Sequence, residues 1–172
     1  MADYLLTGNA GETVRIVGEN FYRVDEVKFG AVDATSFRIY ALPVGFDLCD
    51  AVVPANATYG KVKIISTLRG VTGYSLTNFI PTPVLTGLIP ATGTPGSTIR
   101  LLGRGFSGVT GVSMNNILCT GIGSASSGLS TDYRQIDGSD PSNIYYGFSV
   151  ESNSEIKVQV PSGNTHGKVK IH

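Results

Sequence analysis

Charge is what this 172-residue sequence has least of: Asp, Glu, Lys and Arg make up 15% of it, against about a quarter in average soluble chains. Thirteen basic and thirteen acidic residues cancel, so there is no electrostatic footprint for a nucleic acid or an acidic membrane surface. No apolar run approaches the roughly 18 residues that a membrane-spanning helix needs, which argues against membrane insertion. Glutamate occurs five times and glutamine twice, and this scarcity of helix formers disfavours a helical bundle. The two cysteines, Cys49 and Cys119, are too few for a disulfide framework and lack metal-ligand spacing; both are expected to be reduced. The first residues, Met1 to Gly8, lack the basic start and the 7–15-residue apolar stretch of a secretory signal. The expectation is a chain made and kept in a cytoplasm, or exported by another route.

Glycine is abundant, at 22 of 172 residues, and much of it is placed by an internal repeat. The segment from Gly11, GETVRIVGENFYRVDEVKFGAV, aligns without gaps to the segment from Gly96, GSTIRLLGRGFSGVTGVSMNNI, at an offset of 85. Gly11, Thr13, Arg15, Gly18, Phe21, Val24 and Val27 recur as Gly96, Thr98, Arg100, Gly103, Phe106, Val109 and Val112. A second block, VPANATYGKVKI from Val53, matches VPSGNTHGKVKI from Val160 at an offset of 107. The second copy therefore carries 22 additional residues between the blocks, within 118–147.

Inside the blocks the hydrophobic period is two. Val14 and Ile16 alternate with Thr13 and Arg15, Val62 and Ile64 with Lys61 and Lys63, and Ile156, Val158 and Val160 with Lys157 and Gln159. Each reads as a half-buried strand with one wet face. Gly18-Glu-Asn-Phe21 and Gly103-Arg-Gly-Phe106 each set turn residues before an aromatic that can plug the end of a core. Val-Pro at 53–54 and 160–161 ends a strand where proline's missing donor does no harm. Short strands at this spacing, in two copies, predict an all-β chain of tandem β-sandwiches.

The second copy, with Pro90, Gly93, Gly96, Gly103, Phe106, Val109, Val112, Val160, Pro161, Gly167, Val169 and Ile171, resembles the IPT/TIG family of immunoglobulin-like domains. The resemblance covers nearly the whole chain as two copies, set at 1–81 and 82–172. It implies seven-strand sandwiches of a kind that serve as spacers and binding modules in bacterial surface proteins, glycan-processing enzymes, receptors, transcription factors and phage particles. Ile80-Pro-Thr-Pro83 reads as a short, stiff linker between them, making a semi-rigid rod.

The copies differ in two places. After its GKVKI strand the first continues through a turn near 69–73 into Tyr74–Ile80, whereas the second stops at Ile171-His172, one closing strand short. Either the native protein is longer or the domain tolerates the loss, or the open sheet edge at Lys168, Val169, Lys170 and Ile171 accepts a strand from a neighbouring chain. The inserted loop carries Tyr133, Tyr145 and Tyr146, which either pack on their own sheet or form a partner-binding loop.

Chemistry is sparse. Gly103-Arg-Gly-Phe-Ser-Gly108 matches a dinucleotide fingerprint, but a strand rather than a helix is expected to follow, so no cofactor is expected. His166 aligns with Tyr59, and no nucleophile pairing accompanies His166 or His172. Asp137 and Asp140 lie in a loop too poor in oxygen ligands for calcium. Cys49 aligns with Ile156 and Cys119 with Ala34, which reads as two small core residues rather than an inter-sheet disulfide. Asn56-Ala-Thr58 is a glycosylation triplet with no secretory signal before it.

These observations lead to an expectation of a non-enzymatic structural protein of a tailed-phage virion, a capsid decoration or fibre-like component assembled in the bacterial cytoplasm. Its partners would be other virion proteins or copies of itself, with weak contact to cell-surface glycans strengthened by avidity on a lattice. The alternative is an adhesion or carbohydrate-binding fragment of a larger bacterial surface protein or glycan-processing enzyme.

Overall fold

The computed structural model describes residues 6–41, 45–119, 147–161 and 166–172, and among them every regular element is a strand except one three-residue 3-10 turn. Two compact units divide the chain, Met1–Thr82 and Pro83–His172. Unit 1 holds β1 (Leu6–Gly8), β2 (Thr13–Gly18), β3 (Glu26–Phe29), β4 (Val32–Asp33), β5 (Ser36–Ala41), β6 (Asp47–Val52), β7 (Gly60–Ser66) and β8 (Val71–Pro81). Its sheets are β1-β8-β7-β3-β4 and β2-β6-β5. All pairs are antiparallel except β1 with β8.

Period two decides which side chains meet. Val27 and Phe29 of β3, Val62 and Ile64 of β7 and Phe79 of β8 turn inward from one sheet, against Cys49 and Ala51 of β6 on the other. Phe29 and Phe79 meet edge to face at 4.8 Å in the middle of this core.

Unit 2 repeats the plan with β9 (Val84–Ile89), β10 (Thr98–Arg104), β11 (Val112–Met114), β12 (Ile117–Cys119), β13 (Phe148–Ser152), β14 (Glu155–Gln159) and β15 (Val169–Ile171). Its sheets are β13-β14-β10-β9 and β12-β11-β15. Ile99, Leu101, Ile156 and Val158 face Val112, Met114 and Cys119 in a second core. The β-sandwich expected from the alternation, of the immunoglobulin-like kind that the resemblance implies, is what the strands build. The 22 additional residues fall between β12 and β13, where unit 1 has only Ala34 and Thr35 between β4 and β5.

Two expectations need correction. Ile80 and Pro81 are not linker: they end β8 and pair with Thr7 and Gly8 of β1, leaving only Thr82 and Pro83 before β9. Proline is tolerated there because it closes the strand, and the next amide, of Thr82, donates to Gly8 O in its place. After Gly103-Arg-Gly-Phe-Ser-Gly108 the chain makes the 3-10 turn Phe106–Gly108 before reaching the strand β11.

The repeated Gly-x-x-Phe has a steric cause. Phe21 is 8% and Phe106 0% exposed, and each ring lies over the glycine three residues before it. A Cβ on Gly18 would stand 2.5 Å from the Phe21 ring, and one on Gly103 2.5 Å from the Phe106 ring and 2.0 Å from Val84 O. The loops are pinned by Asp47, whose carboxylate accepts the Phe21 amide at 2.8 Å, and by Asn153, whose carbonyl accepts the Phe106 amide at 3.1 Å.

Gly103→Ala is expected to destabilise its unit more than Gly18→Ala does, because only Gly103 faces rigid backbone. Phe79→Ala should cost unit 1 about 3–5 kcal/mol, with the unit 2 transition unmoved. Denaturant unfolding of the three variants checks both, and equal effects of the two glycine changes would contradict the steric reading.

Candidate functional site

The outer face of the five-stranded sheet in unit 1 gathers polar and aromatic side chains that the core does not use. Residues of β7 at odd positions point away from the core, so Lys61 and Lys63 stand outward while Val62 and Ile64 are buried. Opposite them on β8 lie Asn78 and Tyr74, cross-strand partners of Lys61 and Lys63. Tyr74 is 62% and Tyr59 47% exposed. Asn78 Nδ2 donates to the Tyr59 hydroxyl at 2.7 Å, which fixes that ring's tip. Tyr59, just before β7, is four positions from Lys63, the partner of Tyr74, a step of about 13 Å at strand rise.

A bulge shapes the face. Between Lys61 and Lys63 the register slips, so Asn78 and Tyr74 on β8 are four apart where β7 spans two. Ser75 replaces the lost ladder bond: its hydroxyl accepts the Val62 amide at 3.0 Å and donates to Thr77 O at 2.6 Å. Lys61 Nζ caps the bulge by donating to Leu76 O. The Leu76 side chain is left 97% exposed. Inside the bulge, Ile16, Val17 and Phe21 face Val62, Tyr74 and Leu76 across a groove of about 180 Å³.

Lys28 Nζ lies 2.6 Å from Asp33 and 3.1 Å from Glu26. On the opposite sheet Arg15 grips Asp50 through Nε and Nη2 at 2.7 and 2.8 Å. Unit 2 keeps this fork with a shifted acid. Lys157 stands directly opposite Arg100, so Arg100 reaches Glu155, two residues along, at 2.6 and 2.8 Å.

The residues singled out in sequence are distributed as follows. Tyr133, Tyr145 and Tyr146 lie outside the described residues, as do Asp137 and Asp140. Val169–Ile171 form β15, paired with β11, and Lys168 O accepts the Asn115 amide at 3.0 Å; no described strand pairs with the other edge of β15. His172 extends that ladder to Gly111, and its Nε2 lies 2.9 Å from Ser113 Oγ. Cys49 and Cys119 are buried in separate cores, and desolvation pushes both thiols up to about 11. Among the described residues no three His, Cys, Asp or Glu side chains gather as a metal would need, and no helix is long and apolar enough to cross a membrane. Tyr59 and Tyr74 escaped the sequence reading because the bulge hides the alternation that would have put both on one face.

No family model matches the sequence, and no curated protein does. Among solved structures the chain is similar to the surface glycan-binding protein PbSGBP-B of Prevotella bryantii, at 12% identity and a TM-score of 0.47, covering 98% of this chain and 35% of that one. It is also similar to the SGBP-B of a Bacteroides ovatus mixed-linkage glucan utilization locus, in complex with a heptasaccharide, at 13% identity and TM-score 0.35, covering 96% and 36%. A third is the plexin A4 extracellular region, at 21% identity and TM-score 0.35, covering 96% and 16%. The chain thus spans about a third of the two glycan-binding proteins and 16% of the plexin, and likeness of this degree says nothing about what it binds.

Acid should weaken both units through their carboxylates. Hydrogen bonds from Arg15, Arg100 and Thr67 hold Asp50, Glu155 and Asp25 below the usual carboxylate range. A depressed folded pKa gives stability that is present above the unfolded values, near 4, and is lost as pH falls through the folded ones. Urea midpoints should therefore hold from pH 7 to 5 and fall below about pH 4, with a shallower fall in Asp50→Asn; an unchanged slope in that variant would remove Asp50 as a source.

Proposed function

We propose that this chain is a non-enzymatic carbohydrate-binding module, two IPT/TIG-type sandwiches within a larger bacterial surface protein, and that it holds an extended glycan across the outer face of the five-stranded sheet of unit 1. The observation that carries this reading is that Tyr74 and Tyr59 are both exposed, one the cross-strand partner of Lys63 and the other hydrogen-bonded to Asn78 of the same sheet. Sugar rings present an apolar C–H face that lies flat on an aromatic ring, and hydroxyls that pair with amides and ammonium groups. Tyr74 acts as the open platform; Tyr59, held by Asn78, is the second. Lys63, beside Tyr74, supplies a donor at the platform's rim. Binding across a flat sheet face is shallow and weak, so affinity comes from several sugar units along one chain or from several copies of the module.

The test is calorimetry of the whole protein against soluble β-glucans, xyloglucan and an unrelated control such as dextran. One β-linked glycan should bind, Tyr74→Ala should weaken it about tenfold, the scale of a truncated aromatic anchor, and Tyr59→Ala less. Binding that survives both substitutions would end the reading. Role as a virion decoration is separable from this one, because it requires co-sedimentation with phage particles and no glycan.

A further inference from the structure

The other sheet of unit 1, β2-β6-β5, turns a different chemistry outward. Val14 and Ile16 of β2, Cys49 and Ala51 of β6 and Phe37 and Ile39 of β5 pack in the core, so alternation sends Arg15, Asp50 and Arg38 to the outer face. The register sets these three directly opposite one another, one per strand. Asp50 thus has a guanidinium strand neighbour on each side, yet both its oxygens go to Arg15, Oδ1 to Nε at 2.7 Å and Oδ2 to Nη2 at 2.8 Å. Arg38 is exposed and joins no ion pair among the described residues. Its guanidinium lies over the ring of Tyr40, two residues further along β5, at 4.9 Å from the centroid.

Unit 2 shows that the sandwich needs no cation at this place. Cys49 aligns with Ile156, so Asp50 corresponds to Lys157 and Arg38 to Ser149, the strand partner of Lys157. There Arg100 bonds Glu155, and Lys157 Nζ lies 3.3 Å from Glu151, one acid to each cation. In unit 1 two arginines stand at one aspartate, which leaves a positive charge over.

Stacking on Tyr40 occupies the flat face of the Arg38 guanidinium and leaves its N–H edge free. Two N–H groups in that plane match the two oxygens of a carboxylate, the geometry that Arg15 makes with Asp50. Beside the charged row runs an apolar one, about 7 Å away along the strands. Tyr40 and Leu48 stand opposite each other in it, both half-buried. A carboxylate fork bordered by a flat apolar strip complements a uronate ring, which fixes a carboxylate to the edge of a rigid C–H surface. An acidic peptide offers the charge without that surface.

We propose that the outer face of β2-β6-β5 is a second binding site, for the carboxylate-bearing sugar units of an acidic glycan. Arg38 holds the carboxylate through paired N–H groups, Tyr40 fixes the guanidinium from behind, and Leu48 with the edge of Tyr40 receives the ring. Charges then alternate in sign across the sheet, from Arg15 through Asp50 and Arg38 to the ligand. The site does not rest on the reading of Tyr59 and Tyr74: it shares no residue with that face and lies on the opposite sheet.

The test is calorimetry of the whole protein, with NMR of the arginine Nε–H groups, against oligoglucuronate and oligogalacturonate. Cello-oligosaccharides serve as the uncharged counterpart and oligoglutamate as the acid without a sugar. At least one uronate should bind saturably, move the Arg38 Nε–H signal and weaken as salt is raised. Arg38→Gln should weaken it about tenfold, and Arg38→Lys nearly as much because an ammonium cannot fork, both with the unfolding midpoint in place. Tyr74→Ala should leave uronate binding intact, and Arg38→Gln should leave any neutral glycan bound as before. The proposal is overturned if neither uronate binds, if Arg38→Gln binds it as well as the parent, or if oligoglutamate binds as tightly. Loss of uronate binding in Tyr74→Ala would also overturn it, by moving the ligand to the other sheet.

Discussion

Each sandwich rests on one close approach, an aromatic ring lying where a glycine leaves no Cβ. Phe21 over Gly18 and Phe106 over Gly103 close the end of a core from which the next loop must depart. A ring in that position covers the last inward residues of the strand and turns the chain toward the opposite sheet, so the loop after it can reach β3 or β11. Asp47 then holds one loop through its carboxylate, and Asn153 holds the other with its carbonyl on the Phe106 amide and its Oδ1 on the Ser107 amide. The recurrence of glycine and phenylalanine at an offset of 85 is thus the trace of a packing rule that both units obey.

Much of the fold could be read from that repeat. Alternation at Val14–Ile16, Val62–Ile64 and Ile156–Val158 identified core faces, and the alignment of Cys49 with Ile156 placed a thiol inside a sandwich, where both residues are 0% exposed. What escaped were features made by departures from alternation. The Ser75 bulge shifts β8 by two residues, and no composition or period announces it. Ile80 and Pro81 look like linker because proline suggests a break, yet pairing with β1 keeps them in the sheet. The parallel β1–β8 pair joins residues more than seventy positions apart, beyond anything local patterning can propose.

The comparison of the two copies is more informative than either alone. The sandwich has two seams between its sheets, and a strand laid along a seam decides how wet the nearest core positions are. Unit 1 carries β8 and β1 along one stretch; unit 2 carries β9 along another. The half-burial of Val14 and Ile16 is therefore a property of their neighbours rather than of their own side chains, which match Ile99 and Leu101 in character.

The buried thiols have a practical meaning of their own. Each unit contains a single cysteine, Cys49 in one core and Cys119 in the other, both free and both held protonated by burial. A thiol reagent can react only when the surrounding sandwich opens, so each sulfur is a native clock for its own unit. Labelling followed by digestion would time the two openings in one tube without introducing any probe, and the ratio of the two rates would rank the local stabilities of a sandwich closed by β8 and one flanked by β9.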